Sequence, residues 1–209
     1  EGPETVIVTL AGVTSGDPDI SVDAANQSAT VTMTDDDTAT VSLDKVNDGA
    51  EASTPANGRF RVTQTKASAM DSVISYTVNG TATPGTGADY TPLSGTVTIV
   101  AGATTADIDV PVLNDNVVEA TETVIVTLSG VASASPGVSL DAASRTATAS
   151  VTDDDTATVS IARIDDGAEA VTPVAGKFRG TQTKASSSDT VVGYSVNGSA
   201  TPGAYRDES

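Results

Sequence analysis

The chain has no Cys, no His and no Trp, and only 10 Lys and Arg stand against 28 Asp and Glu. Each shortage closes a class of function. Without Cys there is no disulfide framework, no thiolate metal site and no Cys nucleophile. A thiol-free chain suits a surface protein, although the compartment itself stays open. Without His or Cys, zinc and copper lose their preferred ligands, and a catalytic site would have to use carboxylates, Lys, Tyr, Ser or Thr alone. Paired carboxylates can hydrolyse glycosides. With aromatics at 3% of residues, however, nothing supplies a sugar-stacking platform, and no enzyme is expected. A formal charge of −18 excludes nucleic acid as partner, because phosphate binding needs clustered Lys and Arg. No apolar run approaches the roughly 20 residues of a membrane helix, so no direct membrane insertion is expected.

What is present repeats. "ETVIVTL" stands at 4–10 and 122–128, "DDDTATVS" at 35–42 and 153–160, and "TQTKAS" at 63–68 and 181–186, always 118 residues apart. That period is domain-sized, far beyond a solenoid repeat of about 20–50 residues. Cutting after each Asp triplet gives three pieces: the tail of one module at 1–37, a complete module at 38–155, and the head of a third at 156–209. No Pro/Gly/Ser linker divides them, since each triplet runs straight into the strand-like "TATVS". A stiff string of modules is expected, and the chain reads as a window cut from a longer array. Head and tail together fall short of a whole module, so simple exchange with a neighbouring copy could not complete one.

Val and Thr, branched at Cβ, favour strands. Alternation at period two predicts strands at 38–45, 58–66, 72–80, 95–100, 105–112, 122–129 and 145–152. Phe60, Val62 and Gln64 share one face of the second strand, and Ile74, Tyr76 and Val78 the more apolar face of the third. Turn signals separate the strands: "NDG" at 47–49, "NG" at 79–80, "PGTG" at 84–87 and "AGA" at 101–103. Seven short strands without a helical period predict an all-β fold, a tandem of immunoglobulin-like antiparallel β-sandwiches. A true immunoglobulin domain is not expected, because its Cys…Trp…Cys hallmark is missing.

Acids then collect where the predicted loops lie. Asp115, Glu119 and Glu122 fall within eight positions between the fifth and sixth strands, with no Lys or Arg beside them in sequence. Asp153, Asp154 and Asp155 follow the seventh strand, and Glu51 and Asp89 sit in other connections. If these loops share one end of the sandwich, eight carboxylates converge. Two unit charges about 4 Å apart repel by roughly 4 kcal/mol at a surface-like dielectric, so protons or a cation must neutralise such a cluster. Oxygen-only ligands point to Ca2+, which takes six to eight oxygens in loose geometry. Asp44, Asp71, Asp107, Asp109 and Asp141 read more simply as solvated strand or turn residues. Asp48, Asp165 and Asp166 suit turns with or without an ion.

The stretch "ADYTPLSGTVTIVAGATTADIDVPVLNDNVVEATETVIVTL", closed by the Asp triplet, resembles the Calx-beta domain of sodium–calcium exchangers, integrin β4 and large bacterial surface proteins. The resemblance runs through 38–155, and 1–37 and 156–209 look like parts of further copies. It implies calcium ions clustered at one end of the sandwich. By position it implies ligands at Glu51, Asp89, Asp115, Glu119, Glu122, Asp153, Asp154 and Asp155, with the carbonyl of Val117. Asn114 stands where the exchanger version carries another Asp, so fewer or weaker ions are expected. The partial copies keep Glu1, Glu4, Asp35, Asp36 and Asp37 on one side and Glu169 and Asp207 on the other, and neither builds a complete site.

The resulting expectation is a calcium-stiffened repeat of a long extracellular or cell-surface fibre or adhesin, bacterial in character. Its partners would be neighbouring modules of the same chain and other copies in a fibre. The alternatives are a regulatory calcium-sensing domain of a membrane transporter or signalling protein, or, from the lone "NDN" at 114–116, a cadherin-like adhesive repeat.

Overall fold

The structure, a computed structural model, describes residues 2–200. Its strands, in chain order, are β1 (Glu4–Thr9), β2 (Ser28–Met33), β3 (Ala39–Asn47), β4 (Gly49–Ala50), β5 (Gly58–Gln64), β6 (Ser72–Gly80), β7 (Thr96–Ile99), β8 (Thr105–Val110), β9 (Val117–Val118), β10 (Glu122–Ser133), β11 (Val138–Leu140), β12 (Thr146–Thr152), β13 (Val159–Asp165), β14 (Lys177–Gln182) and β15 (Ala185–Ser186). Among the described residues no helix is long and apolar enough to cross a membrane. The chain divides into two compact units, one holding 2–115 with 120–154, the other 116–119 with the residues from 155 onward.

The first unit contains a β-sandwich. One sheet has the order β4-β12-β10-β6-β7 and the other β11-β3-β5-β8. Alternation drives the packing. Gly58, Phe60, Val62 and Gln64 on β5 are buried while Arg59, Arg61 and Thr63 between them are not. Ile74 and Tyr76 on β6 and Val124, Val126 and Leu128 on β10 face them across the core. Each fully buried aliphatic or Phe side chain contributes about 1.5–3 kcal/mol. All seven predicted strands are present within a few residues of their expected bounds.

Two short strands in this unit were not expected, and both add parallel pairs: β11 lies along β3 and β4 along β12. The cause of the second is local. "NDG" does not close a plain turn but moves the chain from one sheet to the other, from β3 to β4. Asp48 fixes the step by accepting the Ser150 N–H at 2.8 Å and the Lys45 ammonium at 2.8 Å. Gly49 is required there because a Cβ would stand 2.6 Å from Val112 Cγ2.

Also in the first unit, β1 and β2 form an antiparallel ribbon whose residues are all exposed. A lone two-stranded ribbon has no second layer to bury a face against. Its register, Glu4 opposite Met33 and Thr9 opposite Ser28, is that of β10 on β12, where Glu122 faces Val151 and Thr127 faces Thr146.

The second unit pairs β13 with β14 and, in parallel, β15 with β9. The β13–β14 register reproduces β3–β5: Val159 faces Gln182 as Val41 faces Gln64, and both pairs slip by one residue near Arg163 and Lys45. The sequence period is therefore also a period of hydrogen-bond register.

Candidate metal centre

One end of the sandwich gathers the exits of β4, β6, β8 and β12, and backbone bonds fix the acids carried there. Glu51 follows β4, and its N–H donates to the Thr152 carbonyl at 2.7 Å, which seats it beside Asp153. Asp89 lies in the connection after β6. Its Oδ2 accepts the Thr83 N–H at 2.5 Å, and its carbonyl accepts the Leu113 N–H at 2.9 Å, just upstream of Asp115. Tyr90, 3% exposed, bridges to Val112 and anchors this loop in the core. Asn57 Oδ1 accepts the Val112 N–H at 3.2 Å and holds the exit of β8 from the other side.

These constraints put charge where water is scarce. Glu51 and Asp89 are each 6% exposed, and oxygens of their carboxylates lie within 4.8 Å of one another. Asp153 and Asp154 are equally close to each other. The Glu51 carboxyl is pushed up to about 7, first by burial and then by the charge of Asp115, with Asp89 and Asp153 adding to it. The Asp115 backbone amide donates to the same carboxylate and pulls partly the other way. Near neutral pH Glu51 is thus poised between a proton and a charge. Four carboxylates from four connections act on one another here, and every donor atom is an oxygen. A hard divalent cation fits this set; zinc or copper, which favour nitrogen and sulfur, do not.

Of the predicted ligands, Glu51, Asp89, Asp115 and Asp153 are brought together. Asp154 stands exposed beside Asp153, and Glu122 opens β10 opposite Val151, partly buried. Val117, Glu119 and Asp155 fall in the second unit, Val117 on β9. Glu4 is exposed on β1, and Asp35, Asp36 and Asp37 lie in the exposed segment before β3, where Asp35 Oδ1 accepts the Asp37 N–H at 3.2 Å. Glu169 is exposed in the second unit. Glu1 and Asp207 lie outside the described residues.

Several acids have cations that sequence proximity did not reveal. Asp37 pairs with Lys66 at 2.5 Å, and Asp155 pairs with Lys184. The third Asp of each triplet thus finds a Lys 29 residues downstream. The repeat carried that signal, because "TQTKAS" follows both triplets at the same distance. Asp107 and Asp109 are held by Arg61 and Arg59 across β5–β8, and Asp165 and Asp166 by Lys177 and Arg163. Asp48 belongs to the sheet-switching step. The roles of Thr83 and of the Asp115 amide had no sequence signal, since a backbone donor is the same in every residue but Pro.

A family profile for the Calx-beta domain matches residues 35–155. Among solved structures, the calcium-binding domain CBD12 of CALX1.1 is 22% identical with a TM-score of 0.43, over 54% of this chain and 44% of that one. The apo form of the Calx CBD1 domain is 19% identical with a TM-score of 0.41, over 55% and 99%. CBD12 from CALX1.2 is 26% identical with a TM-score of 0.39, over 47% and 38%. The chain thus spans less than half of the first of these structures. No curated protein matches the chain.

Proposed function

Since the chain belongs to the Calx-beta family, with that domain over residues 35–155, we propose that the domain binds calcium at the end of its sandwich and serves as one module of a calcium-stiffened tandem array. One observation carries the reading: a nearly buried Glu51, its carboxyl held up to about 7 among Asp89, Asp115 and Asp153. A cation that displaces the proton removes the repulsion and ties four connections into one body. The modules are taken as 1–37, 38–155 and 156–209. The recurrence of strand registers at the sequence period supports that division.

In an array of near-identical modules joined without linkers, the ion sets stiffness and spacing, as in a secreted or cell-surface fibre or adhesin. The molecule acts by holding shape, and its partners are neighbouring modules and other copies. Calorimetric titration of the full chain tests this. Calcium should bind with a dissociation constant of about 0.1–1 mM, the range of extracellular modules. Glu51→Gln and Asp89→Asn should each weaken binding at least about tenfold, the effect of losing a charged ligand. Micromolar or tighter binding would favour a regulatory sensor instead, and no heat of binding would end the calcium reading.

A further inference from the structure

The two sheets of the sandwich turn unlike outer faces to solvent. On the β11-β3-β5-β8 sheet, Arg59, Arg61, Asp107 and Asp109 form ion pairs across β5 and β8, and Asp44 stands opposite Arg61. On the β4-β12-β10-β6-β7 sheet burial alternates in the same way, with Val124, Val126 and Leu128 of β10 turned inward. Among the described residues, the outward positions of these strands carry no Asp, Glu, Lys or Arg. Two rows cross the face, Thr148–Ile125–Asn79 and Thr146–Thr127–Thr77. Towards its edge Ser75 stands beside Thr96 and Val73 beside Thr98. Acids stand at its borders instead: Asp48, paired with Lys45, at the β12 edge, Glu122 and Asp153 at the metal end, and Asp71 before β6, which accepts the Ala101 N–H at 2.8 Å. Thr is an ordinary strand former, but the other sheet uses the same strand formers and interleaves Arg and Asp. In a chain of −18, a sheet face without charge is a local exception. It recurs: on β1–β2, Ile7 and Thr9 face Thr30 and Ser28 as Ile125 and Thr127 face Thr148 and Thr146. The hydroxyl pair recurs with it, Thr9 to Ser28 at 2.8 Å and Thr127 to Thr146 at 3.1 Å.

We infer that this uncharged face is where two copies of the chain meet, face against face about a two-fold axis. Charge selects the occupant. Two chains of −18 repel wherever their acids approach, and this face lets them close without opposing like charges. Chemistry selects it too. A face that meets itself needs groups that both donate and accept, and Thr and Ser hydroxyls do both. Ile125 and Val73 add apolar contact among them. Size sets the strength. Four of the strands, about 4.8 Å apart and about seven residues long at 3.4 Å each, span roughly 450 Å². A stable interface buries about 800 Å² per partner, so one face holds a partner weakly. The inference deepens the array reading, whose partners include other copies, and rests on it for strength: each module adds a face, and weak contacts acting together gain avidity. It does not rest on the ion.

Sedimentation equilibrium of the full chain in chelator tests it, over a concentration series reaching about 1 mM. The chain should pass from monomer towards dimer. The dimer fraction should be larger at about 1 M than at about 0.1 M ionic strength, because salt screens the acids outside the face. Thr77→Glu with Thr148→Glu, both exposed on the face, sets like charges against each other and should weaken association at least about tenfold. Ser42→Glu with Thr105→Glu adds the same charge to the outer face of the other sheet and should leave association within about twofold of the unsubstituted chain. Mixing the Glu chain with a Thr77→Lys, Thr148→Lys chain should restore the dimer, a rescue that misfolded chains could not give. A chain monomeric throughout, a dimer fraction that falls with salt, or a mixture that stays monomeric would overturn the face. So would association untouched by the Glu pair, which would point to the exposed β1–β2 ribbon instead. Calcium calorimetry on the same samples keeps the two readings apart. Calcium binding by a chain that never dimerises leaves the calcium module standing and refutes the face. Dimers without a heat of calcium binding leave the face standing and refute the ion.

Discussion

Glu51 concentrates the electrostatics of the site in one side chain. Its folded carboxyl titrates at about 7 against an ordinary 4.5. The native state therefore binds more protons than the unfolded state between those values. Without a divalent ion, stability is full below about 4.5, falls as pH rises through that window, and levels off above about 7. Melting in chelator from pH 4.5 to 8 should show that decline, and Glu51→Gln should flatten it while raising the midpoint at pH 8. A wild-type profile that rises over the window would contradict the assignment. Calcium should release protons when it binds below pH 7, read as a buffer-dependent binding heat. By contrast, Asp48→Ala should leave calcium affinity unchanged, because its carboxylate serves Lys45 and the Ser150 amide.

Strands were more legible than loops, for a physical reason. A strand states its buried face by alternation, and Phe60–Val62–Gln64 and Ile74–Tyr76 kept the faces their spacing gave. Loops state only composition. "NDG" looked like an ordinary turn, yet its backbone crosses between sheets because β12 offers an edge to Gly49 and Ala50. The acids on loops were legible as a cluster for a different reason: like charges without a local base are costly unless something gathers them. Which acids converge depends on donors such as the Thr152 carbonyl's partner at Glu51 and the Thr83 amide at Asp89, and these are invisible in composition. At the element scale Gly80 closes β6 with φ of +130°, and an added Cβ would lie 2.0 Å from the Thr123 carbonyl oxygen. Gly80→Ala should destabilise the fold by more than about 2 kcal/mol in denaturant titrations, since it forces both strain and a shift of β10. It should also loosen the connection that carries Asp89. A stability change within about 0.5 kcal/mol, the range of ordinary surface substitutions, would show that this backbone approach is not a constraint.

For the whole molecule, a charge of −18 makes any salt mildly favourable by screening, so the calcium effect must exceed the general one. The period of 118 residues, visible in the sequence, recurs in the strand registers and in the Asp–Lys pairs. At this scale the Lys that answers each triplet lies a strand pair away, so only the recurrence of "TQTKAS" at a fixed distance pointed to it. The most direct test of the account is a thermal melt of the full chain at pH 7.5 in constant ionic strength, with calcium, with magnesium and with chelator. At free calcium about a hundred times its dissociation constant, linkage gives roughly 2.7 kcal/mol. The midpoint should then rise by about 10 °C over chelator, with a smaller rise in magnesium. Identical midpoints in calcium and chelator would contradict the claim that a bound ion is what reconciles Glu51, Asp89, Asp115 and Asp153.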